Sequence, residues 1–225
     1  MILKVYYYFQ KHFYRKYFYN KFFISKWPVK PNNFWKILEF ILNQANPKTI
    51  LELGSGESTL YFLKYISKNK NNIFFSLEHH YLWYRKQLKI IEKNFGSEFC
   101  SSLIYSKIIK DWYDFKSDQN FEFIFLDGPN EYSFLKKNKS KRDSDIAINF
   151  LKTKIENTKV FIIDDTHREE ENNIISQLNI KLNLIKFRYN KKNDLNIYLN
   201  DEIKKKTLEY FHKLNLSDQN FYKID

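Results

Sequence analysis

From Thr49 to Asp165, short runs rich in β-branched and aromatic residues alternate with stretches of helical periodicity, and this rhythm limits the fold more than any other feature. TILEL precedes a helical pattern over 58–67, IFFSLE precedes one over 81–95, SSLIYS and FEFIFLD follow, and a pattern over 144–155 leads into KVFIIDD. Such alternation predicts an α/β fold, a parallel sheet covered by helices on both faces. The end of the chain breaks the rhythm. KLNLIKFRY and DLNIYLN are separated only by Asn190, Lys191, Lys192 and Asn193. A parallel crossover needs about a dozen residues or more, so these two strands must form an antiparallel hairpin.

The flanks are of different character. MILKVYYYFQKHFYRKYFYNKFFISKW is dense in rings and cations, with Phe9, Phe13 and Tyr17, and again Tyr14, Phe18 and Phe22, at every fourth residue. That spacing suits a helix with an aromatic face. Three uses are open to it. It can dock on the body, close over a substrate channel, or lie on a membrane or partner, with Lys4, Lys11, Arg15, Lys16 and Lys21 at lipid phosphates. Pro28 and Pro31 interrupt it, and Asn32 or Asn33 can cap a helix over 34–43. The expected organisation is an aromatic and basic segment (1–33), an α/β domain (34–200) and a polar, helical tail (201–225).

Charge and cysteine content bound the function. A net charge of +12 invites nucleic acid or an anionic membrane as partner. Of the 38 basic residues, however, only Arg15, Arg85, Arg142, Arg168 and Arg188 are arginine, and Asn is abundant. An A/T-rich coding sequence produces the same skew, so nucleic acid is disfavoured. Cys100 stands alone, which excludes an internal disulfide and a Cys/His zinc cluster and suits a reducing compartment. There is no apolar run of roughly 18 residues and no signal-peptide core. The expectation is a cytoplasmic protein, with peripheral contact to the inner membrane face through 1–26 as the membrane variant. Oligomeric state leaves no trace in the sequence.

In an open parallel α/β sheet, ligands bind beyond the carboxyl ends of the strands. The first such end reads Glu52-Leu53-Gly54-Ser55-Gly56-Glu57-Ser58-Thr59 and holds two of the chain's four glycines. Position 59 is Thr where a dinucleotide fingerprint wants a third glycine, which weakens a nicotinamide reading. Glu78 ends the next strand, 22 residues beyond Gly56, at the reach of a ribose. Asp127 ends FEFIFLD before a Gly-Pro turn, and Asp164 and Asp165 end KVFIIDD. Three carboxylates on one edge repel unless a cation or a shared proton relieves them.

The acidic-x-Gly-x-Gly pattern at Glu52, Gly54 and Gly56 resembles motif I of the class I S-adenosylmethionine-dependent methyltransferases. LELGSGESTL, SLEHHYLWY, DWYDF, FIFLDGP and IIDDTHREEE, spread over 51–171, also look like a bacterial branch of O-methyltransferases associated with polysaccharide or natural-product modification. The resemblance implies a Rossmann-like, mostly parallel seven-stranded sheet with an antiparallel C-terminal hairpin. It implies S-adenosylmethionine as cofactor, held by Glu52, Gly54, Ser55, Gly56, Ser58 and, at the ribose, Glu78. From metal-dependent relatives it implies a Mg²⁺ site at Asp127, Asp164 and Asp165, the alternative being orienting or helix-capping roles. Asp127 and His167 are the candidate general bases for a small-molecule or carbohydrate hydroxyl. Arg142 and Arg168 are placed to fork onto an acidic sugar or nucleotide-linked acceptor, or to pair internally with the aspartates. Trp112 and Tyr113 can flank the adenine or pack in the core. A nucleic-acid methyltransferase and a non-catalytic module docking through its N-terminus are the rival functions.

Overall fold

The computed structural model describes residues 32–69, 71–109, 112–129, 145–188, 194–214 and 222–224. The aromatic and basic segment, with its docking, lid and membrane readings, lies outside them except at its last two residues, and Arg142 lies outside as well. Helix α1 (Asn32–Ala45) leads into β1 (Thr49–Leu53), then α2 (Glu57–Ser67), β2 (Ile73–Glu78), α3 (Tyr81–Phe95), a short 3₁₀ turn (Ser97–Ser102) and β3 (Leu103–Tyr105). A two-stranded ribbon, β4 (Ile108–Ile109) with β5 (Trp112–Tyr113), precedes β6 (Phe123–Leu126), α4 (Asp145–Ile155), β7 (Val160–Ile163) and α5 (Glu169–Gln177). The hairpin β8 (Asn183–Arg188) and β9 (Asp194–Leu199), helix α6 (Asp201–Lys213) and β10 (Tyr222–Ile224) complete it.

The main sheet runs β8-β9-β7-β6-β1-β2-β3, the expected seven strands, and the short β10 adds an eighth outside β8. From β7 through β3 all neighbours are parallel. β9 inserts antiparallel between β7 and β8. Every residue of β1, β6 and β7 is buried, because successive side chains point to opposite faces and both faces are covered. Ile50, Phe123, Phe125, Val160 and Ile162 enter one apolar layer with Phe34 and Ile41 of α1, Phe62 of α2, Ile91 of α3 and Phe211 of α6. Leu51, Leu53, Ile124, Leu126, Phe161 and Ile163 enter the other with Trp112, Phe121, Leu151 of α4 and Ile174 of α5.

Several elements depart from the expectation in instructive ways. Ser101 and Ser102 belong to the 3₁₀ turn, so β3 is shorter than SSLIYS. No helix lies between β3 and β6 among the described residues; the β4–β5 ribbon makes the crossover and buries Trp112 and Tyr113 to 1% and 4% exposure. Those two rings are core, as their alternative reading had it. Asp201–Lys213, within the polar tail, is an amphipathic helix whose Asn200 cap accepts a hydrogen bond from Ile203 N–H at 2.9 Å. Its Phe211 ring stacks on Phe187 of β8, centroids 4.5 Å apart. Among the described residues no helix is long and apolar enough to cross a membrane.

Gly54 makes the strand ends meet. Its φ is +103°, and a Cβ there would lie 2.7 Å from the backbone oxygen of Asp127. A Cβ on Gly56 would meet only Ser58 Oγ, at 4.0 Å. Gly54→Ala should therefore lose on the order of 2–3 kcal/mol in urea unfolding, whereas Gly56→Ala stays within about 1 kcal/mol of wild type. Equal losses in the two variants would contradict this division of roles.

Candidate active site

Glu52 sits inside the second-last position of β1 with no exposed surface. A carboxylate taken out of water needs hydrogen-bond partners, and three hydroxyls supply them. Ser58 Oγ donates to Oε1 at 2.5 Å, and Thr59 Oγ1 and Ser76 Oγ donate to Oε2 at 2.7 and 2.6 Å. Thr59 Oγ1 also accepts from Gly56 N–H at 2.9 Å, which closes the turn that starts α2. Glu52 and Ser58, expected at the cofactor, both lie beneath the glycine loop: Glu52 is fully enclosed and the Ser58 hydroxyl is directed inward onto it. Gly54 packs against the Asp127-Gly128 backbone, and Gly56 alone of the two glycines has open space above it.

Glu78, at the end of β2, faces the same loop from the adjacent strand. Oε2 accepts from Ser55 Oγ at 2.7 Å and Oε1 from His80 N–H at 2.6 Å. Burial pushes its pKa up to about 7, against the opposing pull of the His80 and Ser55 hydrogen bonds. Two neighbours that the sequence leaves without a role complete this corner. His79 lies against Glu78, Nδ1 to Oε1 3.5 Å, and edge-on to Tyr113, centroids 6.1 Å apart. His80 caps α3, where Nδ1 accepts from Trp83 N–H at 3.4 Å. Trp83 Nε1 donates to the Ser55 carbonyl at 2.8 Å and so fixes the loop backbone from α3.

The aspartates do converge. Among the described residues, Asp127, Asp164 and Asp165 each offer a carboxylate oxygen, all within 4.8 Å of one another. Asp127 is half-buried, and Asp164 and Asp165 are buried. Parallel pairing puts them there: Asp127 N–H donates to Leu53 O at 2.8 Å and Asp164 N–H to Leu126 O at 2.9 Å, so three strands end in register. Asp165 takes a left-handed φ of +55°, which aspartate tolerates better than most residues. The turn beyond it is held by Asn172, whose Nδ2 donates to the Thr166 and Arg168 carbonyls at 2.8 and 3.1 Å.

Arg168 does not stand free for an acidic acceptor. Its guanidinium contacts Asp165 and approaches Glu171 at 3.8 Å. Burial would lower its pKa, but the carboxylates of Asp165, Glu171, Asp164 and Asp127 outweigh that and raise it. The internal pairing, offered by the sequence as the alternative, is the one the structure shows. His167 is exposed on the same turn. Three hard oxygen donors suit Mg²⁺ in type, and one arginine offsets only part of their charge.

Thr59, Ser76 and Trp83 are the contributors that sequence reasoning missed. Thr59 stood in the expected motif, as a departure from glycine; Ser76 and Trp83 carry no local signal, because only strand pairing and the packing of α3 bring them to the loop.

No protein-family model matches the sequence, and no curated protein sequence matches it. Solved structures do. The chain is similar to the O-methyltransferase TomG from Streptomyces achromogenes, involved in tomaymycin synthesis and solved in complex with S-adenosylmethionine. The TM-score is 0.53 at 9% identity, over 81% of this chain and 86% of that one. It is also similar to an O-methyltransferase from Bacillus cereus in complex with S-adenosylhomocysteine, with a TM-score of 0.50 at 13% identity over 76% of this chain and 83% of that one. At such identities the likeness is one of fold, a mostly parallel sheet with an antiparallel end pair and helices on both faces.

The raised pKa of Glu78 has a measurable sign. Its neutral form is favoured on folding, so its contribution to stability is complete below about 4.5 and is lost as pH rises through about 7. Relative to Glu78→Gln, wild type should lose on the order of 3 kcal/mol between pH 4.5 and 8 in denaturant titrations. Parallel pH profiles for the two proteins would contradict it.

Proposed function

We propose that this chain is an S-adenosylmethionine-dependent methyltransferase that O-methylates a small hydroxylated acceptor, a carbohydrate or a metabolite of similar size. One observation carries the reading: the open backbone at Gly56 and the buried carboxylate of Glu78 face one loop from adjacent strand ends. The two solved structures with this fold hold S-adenosylmethionine and S-adenosylhomocysteine, which supports the same cofactor here.

The residues fit such a nucleoside. Gly54, Ser55 and Gly56 would line its crevice ahead of α2, with close approach over the open backbone at Gly56, the N–H groups of Gly54 and Gly56 being already held by Leu77 O and Thr59 Oγ1. Glu78 would take the ribose hydroxyls. Glu52 and Ser58 act beneath, by holding the loop in shape. When bound, the sulfonium supplies an activated methyl group, and the protein's task is to align an acceptor oxygen with it, which can contribute on the order of 7–11 kcal/mol. The hydroxyl must also lose a proton. Asp127, half-buried beside the glycine loop, and His167, exposed on the turn after β7, are the candidate bases for that proton. Mg²⁺ assistance is part of the proposal, with Asp127, Asp164 and Asp165 as its ligands and a lowered pKa of the acceptor hydroxyl as its chemistry. Arg168 keeps Asp165 in place.

Two experiments test this. Calorimetry should show S-adenosylhomocysteine binding to wild type, weakened about tenfold or more in Gly56→Ala and Glu78→Ala; no binding by wild type at millimolar ligand would defeat the assignment. Added Mg²⁺ should raise the melting temperature and turnover of wild type, and Asp164→Asn should abolish both effects. Turnover and melting unchanged by chelator and by Mg²⁺ would leave the three aspartates in basic and orienting roles only.

A further inference from the structure

The ribose carboxylate is already covered by the chain itself. Around Glu78, Ser55 Oγ–H donates to Oε2 at 2.7 Å and His80 N–H to Oε1 at 2.6 Å, with His79 Nδ1 3.5 Å from Oε1. The residue is 4% exposed, so water has little access to it. Two ribose hydroxyls can therefore reach this carboxylate only by displacing part of that cover.

The two donors differ in how readily they can leave. The His80 N–H is backbone and is held where His80 caps α3. The Ser55 backbone is pinned by Trp83 Nε1 on its carbonyl at 2.8 Å, but its hydroxyl hangs on a single rotatable side-chain bond. We infer that the Ser55 hydroxyl is a built-in competitor of the ligand's ribose: it occupies Glu78 in the free protein and must turn away when a vicinal diol binds. The Ser55 hydroxyl thereby sets affinity and ribose selectivity without itself bonding to the nucleoside. The inference rests on the crevice being a site for S-adenosylmethionine and deepens that reading.

The consequence is opposite to that of losing an ordinary contact. In Ser55→Ala the free protein loses a hydrogen bond that the complex never had, so binding should tighten. A ligand lacking a ribose hydroxyl leaves Ser55 on Glu78 in wild type, which cushions the loss; in the variant nothing takes its place, so discrimination should grow.

The test is calorimetric titration of wild type, Ser55→Ala and Ser55→Cys with S-adenosylhomocysteine and with its 3′-deoxy counterpart, each protein first checked for folding by circular dichroism and melting. The expected result is roughly three- to tenfold tighter binding of S-adenosylhomocysteine by Ser55→Ala, a smaller gain for the weakly donating thiol, and a larger penalty for the 3′-deoxy ligand in Ser55→Ala than in wild type. Wild type that binds, with folded variants that bind equally or more weakly, would overturn the inference and leave the cofactor assignment standing. Should Ser55→Ala not fold, Ser55→Cys decides by the same criterion. Wild type that binds neither ligand would remove the cofactor assignment and the inference with it.

Discussion

The Glu52 carboxylate, sealed in the sheet under three hydroxyls, is the constraint on which the rest of this site depends. A carboxyl group taken out of water is costly unless it is hydrogen-bonded, and here hydroxyls reach it from two different elements: Ser58 and Thr59 in the first turn of α2, and Ser76 in β2. Satisfying one buried group thus ties together the entry of the helix, the bend at Gly54 and Gly56, and the register of β1 against β2. The start of α2 is also the positive end of its dipole, which favours a carboxylate below it. The loop gains its shape from inside the protein, which leaves its outer surface for a ligand.

The parallel register carries this order across the sheet. Because β1, β2, β6 and β7 end together, Glu78, Asp127, Asp164 and Asp165 come to one edge although 87 positions separate the first from the last. The apolar layers on both faces supply most of the driving force, and the polar groups are spent at the strand ends. There each acid is treated differently. Glu52 is satisfied by hydroxyls, Glu78 is raised toward neutrality by burial, and Asp165 is held by Arg168. One sheet edge therefore presents a corner formed by Glu78 and the glycine loop and a separate corner of three aspartates, with Gly54 packed against Asp127 at the seam.

Much of this was legible in the chain itself, for reasons particular to each element. The strands with unbroken apolar runs, TILEL and FIFL within FEFIFLD, are central and read correctly because burial on both faces leaves no ambiguity of period. α3 was legible to its bounds, since His80 and Gly96 punctuate both ends. The four-residue hairpin link forced its own topology. The β4–β5 ribbon was not legible: two-residue strands have no periodicity, and its Trp112 and Tyr113 are placed by packing on the sheet. α5 and β10 escaped for the same reason, short length with polar composition. At the site, residue types at strand ends identified the acids, but not which of them face inward. Glu52 and Glu78 look alike in sequence; their burial and their partners, Ser76 and Ser55, are set by pairing between strands.

The most direct measurement is a crystal structure of the full chain grown with saturating S-adenosylhomocysteine. The account predicts the nucleoside across the ends of β1 and β2, its backbone contacts at Gly56, and both ribose hydroxyls on Glu78 with the Ser55 side chain turned away. A nucleoside bound elsewhere on the protein, or a crevice filled by the chain's own side chains at full ligand saturation, would contradict it.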